Sequence, residues 1–100
     1  MLPVKKHRLV RVDFQSAYDW YEAKQPGLGA EFVDDFRHAY HRLRQTPLIY
    51  SARFSNVRRL KLERFPYGIF YVVKSNEIRV LGVLHASRDT ERVLANRRRG

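Results

Sequence analysis

Seven residues within 57–88 are suited to handling an anion: Arg58, Arg59, Lys61, Arg64, Arg79, His85 and Arg88. Cleaving a phosphodiester needs cations around the phosphate, a base for the attacking hydroxyl and an acid for the leaving oxygen. Arg59, Lys61 and Arg88 can meet the first need. His85 can meet the second or third, because histidine is the side chain with a reference pKa near neutral pH. If the chain cleaves a phosphodiester, Lys61, His85 and Arg88 are the catalytic candidates. If it only binds, Arg58, Arg59, Lys61, Arg64 and Arg88 form a basic surface for the target, and His85 is a hydrogen-bonded strand-end residue. No metal centre is expected, since there is no Cys, and the closest pair of His residues, His38 and His41, lies beside Arg37 and Arg42 on what reads as a solvated helix face. No P-loop, dinucleotide turn or nucleophile elbow occurs, so no cofactor is expected.

These residues need a sheet to hold them. Three apolar runs of strand length, separated by Phe65-Pro66-Tyr67-Gly68 and Lys74-Ser75-Asn76-Glu77, read as an antiparallel meander. In the first run Leu60 and Leu62 oppose Arg59, Lys61 and Glu63. In the second, Ile69, Tyr71 and Val73 alternate with Phe70, Val72 and Lys74; in the third, Ile78, Val80, Gly82 and Leu84 alternate with Arg79, Leu81, Val83 and His85. The last two runs are apolar on both sides over part of their length, as in central strands covered by helices on one face and by a partner on the other.

Upstream, 7–12 reads as a short strand with Val10 and Val12 inward and His7 in water, and Asp13 as the N-cap of a helix whose Phe14, Ala17, Tyr18 and Tyr21 share one face. That helix ends near Lys24 at Gln25-Pro26-Gly27-Leu28-Gly29. A second helix over 29–45 carries the stripe Phe32, Val33, Phe36, Ala39, Tyr40 and Leu43. Glu31, Asp34 and Asp35 in its first turns read either as solvated helix-start carboxylates or as a site. The short connection makes the two helices an antiparallel hairpin lying on the sheet. Residues 48–56 read as a loop or irregular edge pinned to the body by Leu48, Ile49, Tyr50 and Phe54. Asp89 caps a short helix over 90–96, and Arg97-Arg98-Arg99 reads as a frayed, solvated end.

The fold class is therefore α+β: an N-terminal strand, an antiparallel two-helix hairpin packed on an antiparallel β-meander, and a short C-terminal helix. One domain over 1–100 is expected from a chain of 100 residues, 44% hydrophobic. No apolar run is long enough to cross a bilayer and the start lacks a signal-peptide core, so a soluble, intracellular protein with no membrane partner is expected. The formal net charge is +10, unevenly placed: residues 13–36 carry six acids against one Lys, while residues 37–64 carry eight basic groups against one acid. Small basic domains use such charge for solubility, and they also meet polyanions, either nucleic acid or an acidic protein segment.

Several segments, taken in order and spacing, carry a family likeness. They are Ala17-Tyr18-Asp19-Trp20-Tyr21-Glu22, Pro26-Gly27-Leu28-Gly29 with Phe32, Leu43 with Pro47, Val57-Arg58-Arg59-Leu60, Arg64-Phe65-Pro66-Tyr67 before Ile69-Phe70-Tyr71, and Val83-Leu84-His85 with Arg88-Asp89 and Arg97. Over nearly its whole length the chain resembles the ParE/RelE superfamily of small toxins from bacterial toxin–antitoxin modules, closest to the ParE-like, plasmid-stabilisation branch. The resemblance implies the same α+β fold, a bacterial cytoplasmic location and a cognate antitoxin whose C-terminal segment wraps the toxin. ParE-like members poison DNA gyrase without being known as nucleases, whereas RelE-like members cut messenger RNA in the ribosomal A site. Nuclease relatives commonly carry a strand arginine where this chain has Gly68, and an aromatic near the C-terminus where it has Val93 and Leu94. Arg59 or Lys61, and Arg88, match basic positions that the nucleases use. The resemblance therefore favours a gyrase inhibitor, with ribosome-dependent cleavage or an inactive antitoxin-binding remnant as alternatives.

Overall fold

The computed structural model describes residues 1–99. The elements run β1 (Val4–Lys6), α1 (Leu9–Lys24), α2 (Leu28–Gln45), β2 (Ala52–Phe54), β3 (Val57–Lys61), β4 (Tyr67–Val73), β5 (Ile78–His85) and α3 (Thr90–Ala95), followed by a 3-10 turn, Arg97–Arg99. The five strands make one sheet in the order β1-β5-β4-β3-β2. β1 is parallel to β5, and the other pairs are antiparallel. This is the α+β architecture read from the sequence, with two boundaries moved.

The first correction is at the N-terminus. The strand is Val4–Lys6, and helix α1 begins where the sequence reads as strand. His7 makes the switch: its Nδ1 accepts from the Leu9 N–H at 3.1 Å and its carbonyl accepts from Val10 at 3.0 Å, starting the helix. Val10 alone is equally compatible with a helical face, because Val10, Phe14, Ala17 and Tyr21 fall at helical spacing. Val10 is accordingly buried while Val12 is 56% exposed.

Aromatic contacts pack the hairpin. Phe14 lies 5.4 Å from Phe32 and 4.8 Å from Phe36, ring centre to ring centre, and Tyr21 stands 5.6 Å from Phe32 and 4.7 Å from Phe65. Between the helices Gly27 adopts φ +93°, and the Glu22 carboxylate accepts from the N–H groups of Gly27 and Gly29 at 3.1 and 3.0 Å. A side chain of α1 thus satisfies donors at the start of α2 that the helix itself leaves open.

The helices cover one sheet face through Leu60, Ile69, Tyr71, Ile78, Val80 and Val83. The opposite face has its own core of Val57, Phe70, Val72, Leu81, Leu84 and Leu94. Leu94 comes from α3 and is fully buried, so the chain's own C-terminal helix covers part of the face that the sequence reading gave to a partner. Asp89 caps α3 as read, accepting from the Arg92 N–H at 3.3 Å.

The second correction concerns β5. Its alternation breaks, because Phe70 pairs with Gly82 but Tyr71 pairs with Val80, leaving Leu81 as an inserted residue. Before this bulge Ile78 and Val80 face the helices; after it Val83 does. The outer edge of β5 is exposed beyond Lys6, the last residue of β1 paired to it, and two side chains close it. Asp13 Oδ2 accepts from the Val83 N–H at 3.1 Å, and Arg97 Nη1 donates to Asp13 Oδ2 at 2.6 Å and to the Leu81 carbonyl at 3.1 Å. Both side chains are about nine-tenths buried. Asp13 is therefore not a helix cap and Arg97 is not part of a frayed tail; Arg98 is the exposed neighbour. A Cβ on Gly82 would stand 2.8 Å from Arg97 Nη1, so only glycine leaves room for this guanidinium.

Residues 48–56 are pinned as read by Tyr50, packed on the helix-side core, and by Phe54, packed on the opposite one, but not by Leu48 and Ile49. Leu48 and Ile49 are 63% and 68% exposed. The segment is held by backbone acceptors: Arg58 Nη1 donates to the carbonyls of Leu48 at 3.1 Å and Tyr50 at 2.7 Å, and the Tyr71 hydroxyl donates to Pro47 at 2.6 Å.

Replacing Arg97 by Met leaves the Asp13 carboxylate buried without its cation and is expected to cost about 3 kcal/mol in urea unfolding. Combining it with Asp13→Asn should show a coupling above about 1 kcal/mol. A pH effect follows from His7, whose pKa is held below 6.5 by burial and by the Arg97 and Arg8 charges. The unfolded chain then binds the proton more readily, so the contribution of His7 is complete above pH 6.5 and is lost as pH falls through the lower folded value. His7→Asn, which keeps a side-chain acceptor for Leu9, should flatten that part of a stability–pH curve.

Candidate functional site

The end of the sheet where β3 leaves, β4 begins and β5 ends gathers Lys61, Arg64, His85 and Arg88. Its frame is a carboxylate. Asp35, 2% exposed, accepts from the N–H groups of Glu63, Arg64 and Phe65 at 3.3, 2.9 and 3.0 Å. This ties the β3–β4 connection to α2 and answers the question left by the acidic cluster, since Asp35 is a buried structural acceptor. Asp34 stays exposed with His38 at 3.9 Å, and Glu31 forms an ion pair with Arg64.

Arg64 is thus partnered, and so is Arg58, whose guanidinium holds the 48–50 backbone. Arg79 pairs with Glu77 at 3.0 Å. Arg59, Lys61, His85 and Arg88 remain, and the sheet register divides them. Lys61 pairs with Gly68 and Gly68 with Leu84, which puts Lys61 on the α3 side; Arg59, two residues before it, projects the same way. Tyr67 pairs with His85 on the helix side, their rings 5.2 Å apart and edge to face. The structure therefore places Lys61 and His85 on opposite faces. The bulge at Leu81 causes this: unbroken alternation would have turned His85 the other way.

On the helix side an open groove is lined by Val12, Ser16 and Trp20 of α1 with Tyr67, His85 and Arg88. Trp20 is 58% exposed, and the Lys24 ammonium lies 4.1 Å over its ring. Burial raises the Tyr67 pKa, and the Arg88 charge opposes that rise. His85 Nδ1 accepts from the Ser87 N–H at 2.9 Å, so the neutral ring carries its proton on Nε2. Such a groove can hold an acidic or aromatic side chain of a partner.

On the other side Arg59 lies along the sheet. A Cβ on Gly68 would stand 2.9 Å from Arg59 Cγ, so the Arg59 stem occupies the space that a side chain at 68 would need. The lack of a strand arginine at Gly68 is thus coupled to the course of Arg59. The second departure, Val93 and Leu94, belongs to the core on this face.

The sequence reading missed Trp20 and Tyr67 as site residues, although both stand in the quoted family segments. It missed the role of Asp35 despite a usable signal, since position 35 lies on the apolar stripe between Phe32 and Ala39. No local signal links Asp13 to Arg97. Among the described residues no group of three or more His, Cys, Asp or Glu is placed to hold a metal ion, and no helix is long and apolar enough to cross a membrane.

Replacing Asp35 by Ala is expected to destabilise the chain by about 3 kcal/mol, because three backbone donors lose a charged acceptor. Urea unfolding measures this, and a loss within about 0.5 kcal/mol would deny Asp35 the role of frame.

Residues 4–90 match the family model described as the ParE toxin of the type II toxin–antitoxin system parDE. No curated protein matches the chain significantly. Among solved structures, a chain of a chromosomal ParDE TA system from P. aeruginosa superposes with a TM-score of 0.74 at 29% identity, covering 85% of this chain and 96% of that one. With the family model spanning most of its length, the chain belongs to the ParE toxin family, as the toxin component of a ParDE-type toxin–antitoxin system.

Proposed function

We propose that this toxin inhibits DNA gyrase in the bacterial cytoplasm by binding, without cutting nucleic acid, and that a cognate antitoxin with an acidic or amphipathic segment neutralises it. The observation that carries the non-nucleolytic part is the division of the basic residues. General acid–base cleavage needs its groups around one phosphate, and here Lys61 and His85 point to opposite faces of the sheet. Membership of the ParE rather than the RelE branch supports gyrase as the target. Of the basic surface read from the sequence, Arg58 and Arg64 are engaged within the fold. Arg88 with exposed Trp20 is left as the better pair of target anchors, since buried interface energy concentrates on Trp and Arg. An acidic antitoxin segment gains charge complementarity on a chain of net charge +10.

The test is a supercoiling assay with purified gyrase, run beside ribosome-programmed cleavage of a messenger RNA. The toxin should block supercoiling and leave the message intact. Arg88→Ala and Trp20→Ala should each raise the inhibitory concentration about tenfold, a loss of roughly 1.4 kcal/mol, while His85→Gln stays close to wild type. Cut message with unaffected gyrase would overturn the reading.

A further inference from the structure

The β3 edge carries a second basic feature, away from the Trp20–Arg88 groove. An open groove of about 330 Å³ is lined by Arg42, Tyr50, Ser51, Arg53, Arg59 and Lys61. Four basic residues from three elements line it: Arg42 from α2, Arg53 from β2, and Arg59 and Lys61 from β3. Among the described residues no acidic side chain lines the groove. Arg42 is the unusual member. Its Nε and Nη2 are fully buried and find no hydrogen-bond partner among the described residues. Arg42 as a whole is part-buried, and guanidinium nitrogens taken out of water normally have a carboxylate, a carbonyl or a ligand to offset their desolvation. Arg58, Arg64, Arg79 and Arg97 each have such a partner here.

We propose that this groove is a binding site for a phosphate group, with Arg42 as its anchor and Arg53, Arg59 and Lys61 closing around the oxygens. Phosphate fits better than a lone carboxylate for two reasons. It brings up to two negative charges and several acceptor oxygens to a groove lined by four basic residues, and its oxygens match the fork of a guanidinium. The hydroxyls of Tyr50 and Ser51 add neutral donors. The Arg59 pKa is lowered by burial and by the Arg53 charge, so an anion between them would relieve that repulsion. The phosphate can come from a free phosphate ester or from the phosphodiester of a nucleic acid. The site lies at a different edge from the proposed gyrase anchors and does not depend on that reading.

The experiment uses the whole toxin and inorganic phosphate, with chloride at matched ionic strength as reference. Phosphate should bind in calorimetry and raise the melting temperature, and Arg42→Gln should weaken its binding at least about tenfold. Arg37→Gln, which removes an exposed charge from the same helix, should bind as wild type. Should Arg42→Gln not fold, Arg53→Gln on the exposed edge strand gives the same readout. A hexathymidylate without terminal phosphates then separates the sources: competition with phosphate assigns a phosphodiester, and phosphate binding without competition assigns a free ester. Equal weakening by Arg37→Gln and Arg42→Gln would mean that phosphate only screens the net charge, and the site would be withdrawn. Displacement of phosphate by a hexaglutamate peptide, with tighter binding of that peptide to wild type than to Arg42→Gln, would overturn phosphate in favour of a carboxylate-bearing partner.

Discussion

The buried pair between Asp13 and Arg97 is the constraint on which the rest of the structure turns. It joins α1 on one face of the sheet to the C-terminal turn on the other, across the outer edge of β5, with Arg97 Nη1 2.6 Å from Asp13 Oδ2. A bare β5 edge would leave the Leu81 carbonyl and the Val83 N–H unsatisfied; the pair takes both. It needs glycine at 82 for room, and it delivers Leu94 to the second core. Ion pairs this deep are costly to desolvate. What this one secures is one arrangement of strand, bulge and terminal helix.

Function inherits that arrangement. Because Leu81 is inserted, the strand beyond it is turned over, and His85 faces Tyr67 and Trp20 rather than Lys61. A chain with the same basic residues and no bulge would bring a histidine and a lysine to one face, as an RNA-cleaving site would require. Here they serve two separate surfaces: an aromatic and basic groove under α1, and a cationic groove at the β3 edge. On the proposed reading, the protein is a binder with two electrostatic faces.

Much of this was legible in the sequence where local rules suffice. The hairpin followed from an apolar stripe broken at Pro26-Gly27, the meander from its two turn signals, and the α3 cap from Asp89. What failed was non-local or ambiguous in period. Val10 satisfies a strand as well as a helix until His7 is seen to accept from Leu9. The β5 bulge is invisible in a run of apolar residues, so one inserted residue reversed every assignment after it. Asp13 and Arg97 are 84 positions apart, and charged residues near an end read as solvated unless a distant partner is known. Arg58 was legible as a cation, but its bonds to the Leu48 and Tyr50 carbonyls depend on where a loop returns.

The claim most exposed to test is that Lys61 and His85 do not share a site. The direct measurement is a double-mutant cycle on growth inhibition by the induced toxin, with Lys61→Ala, His85→Gln and their combination, each checked for expression and folding. Independent residues on opposite faces should give effects that multiply, with no coupling beyond about 0.5 kcal/mol. If each single change abolishes toxicity as fully as the pair, the two act as one catalytic unit, and the separation of faces described for β5 would be contradicted.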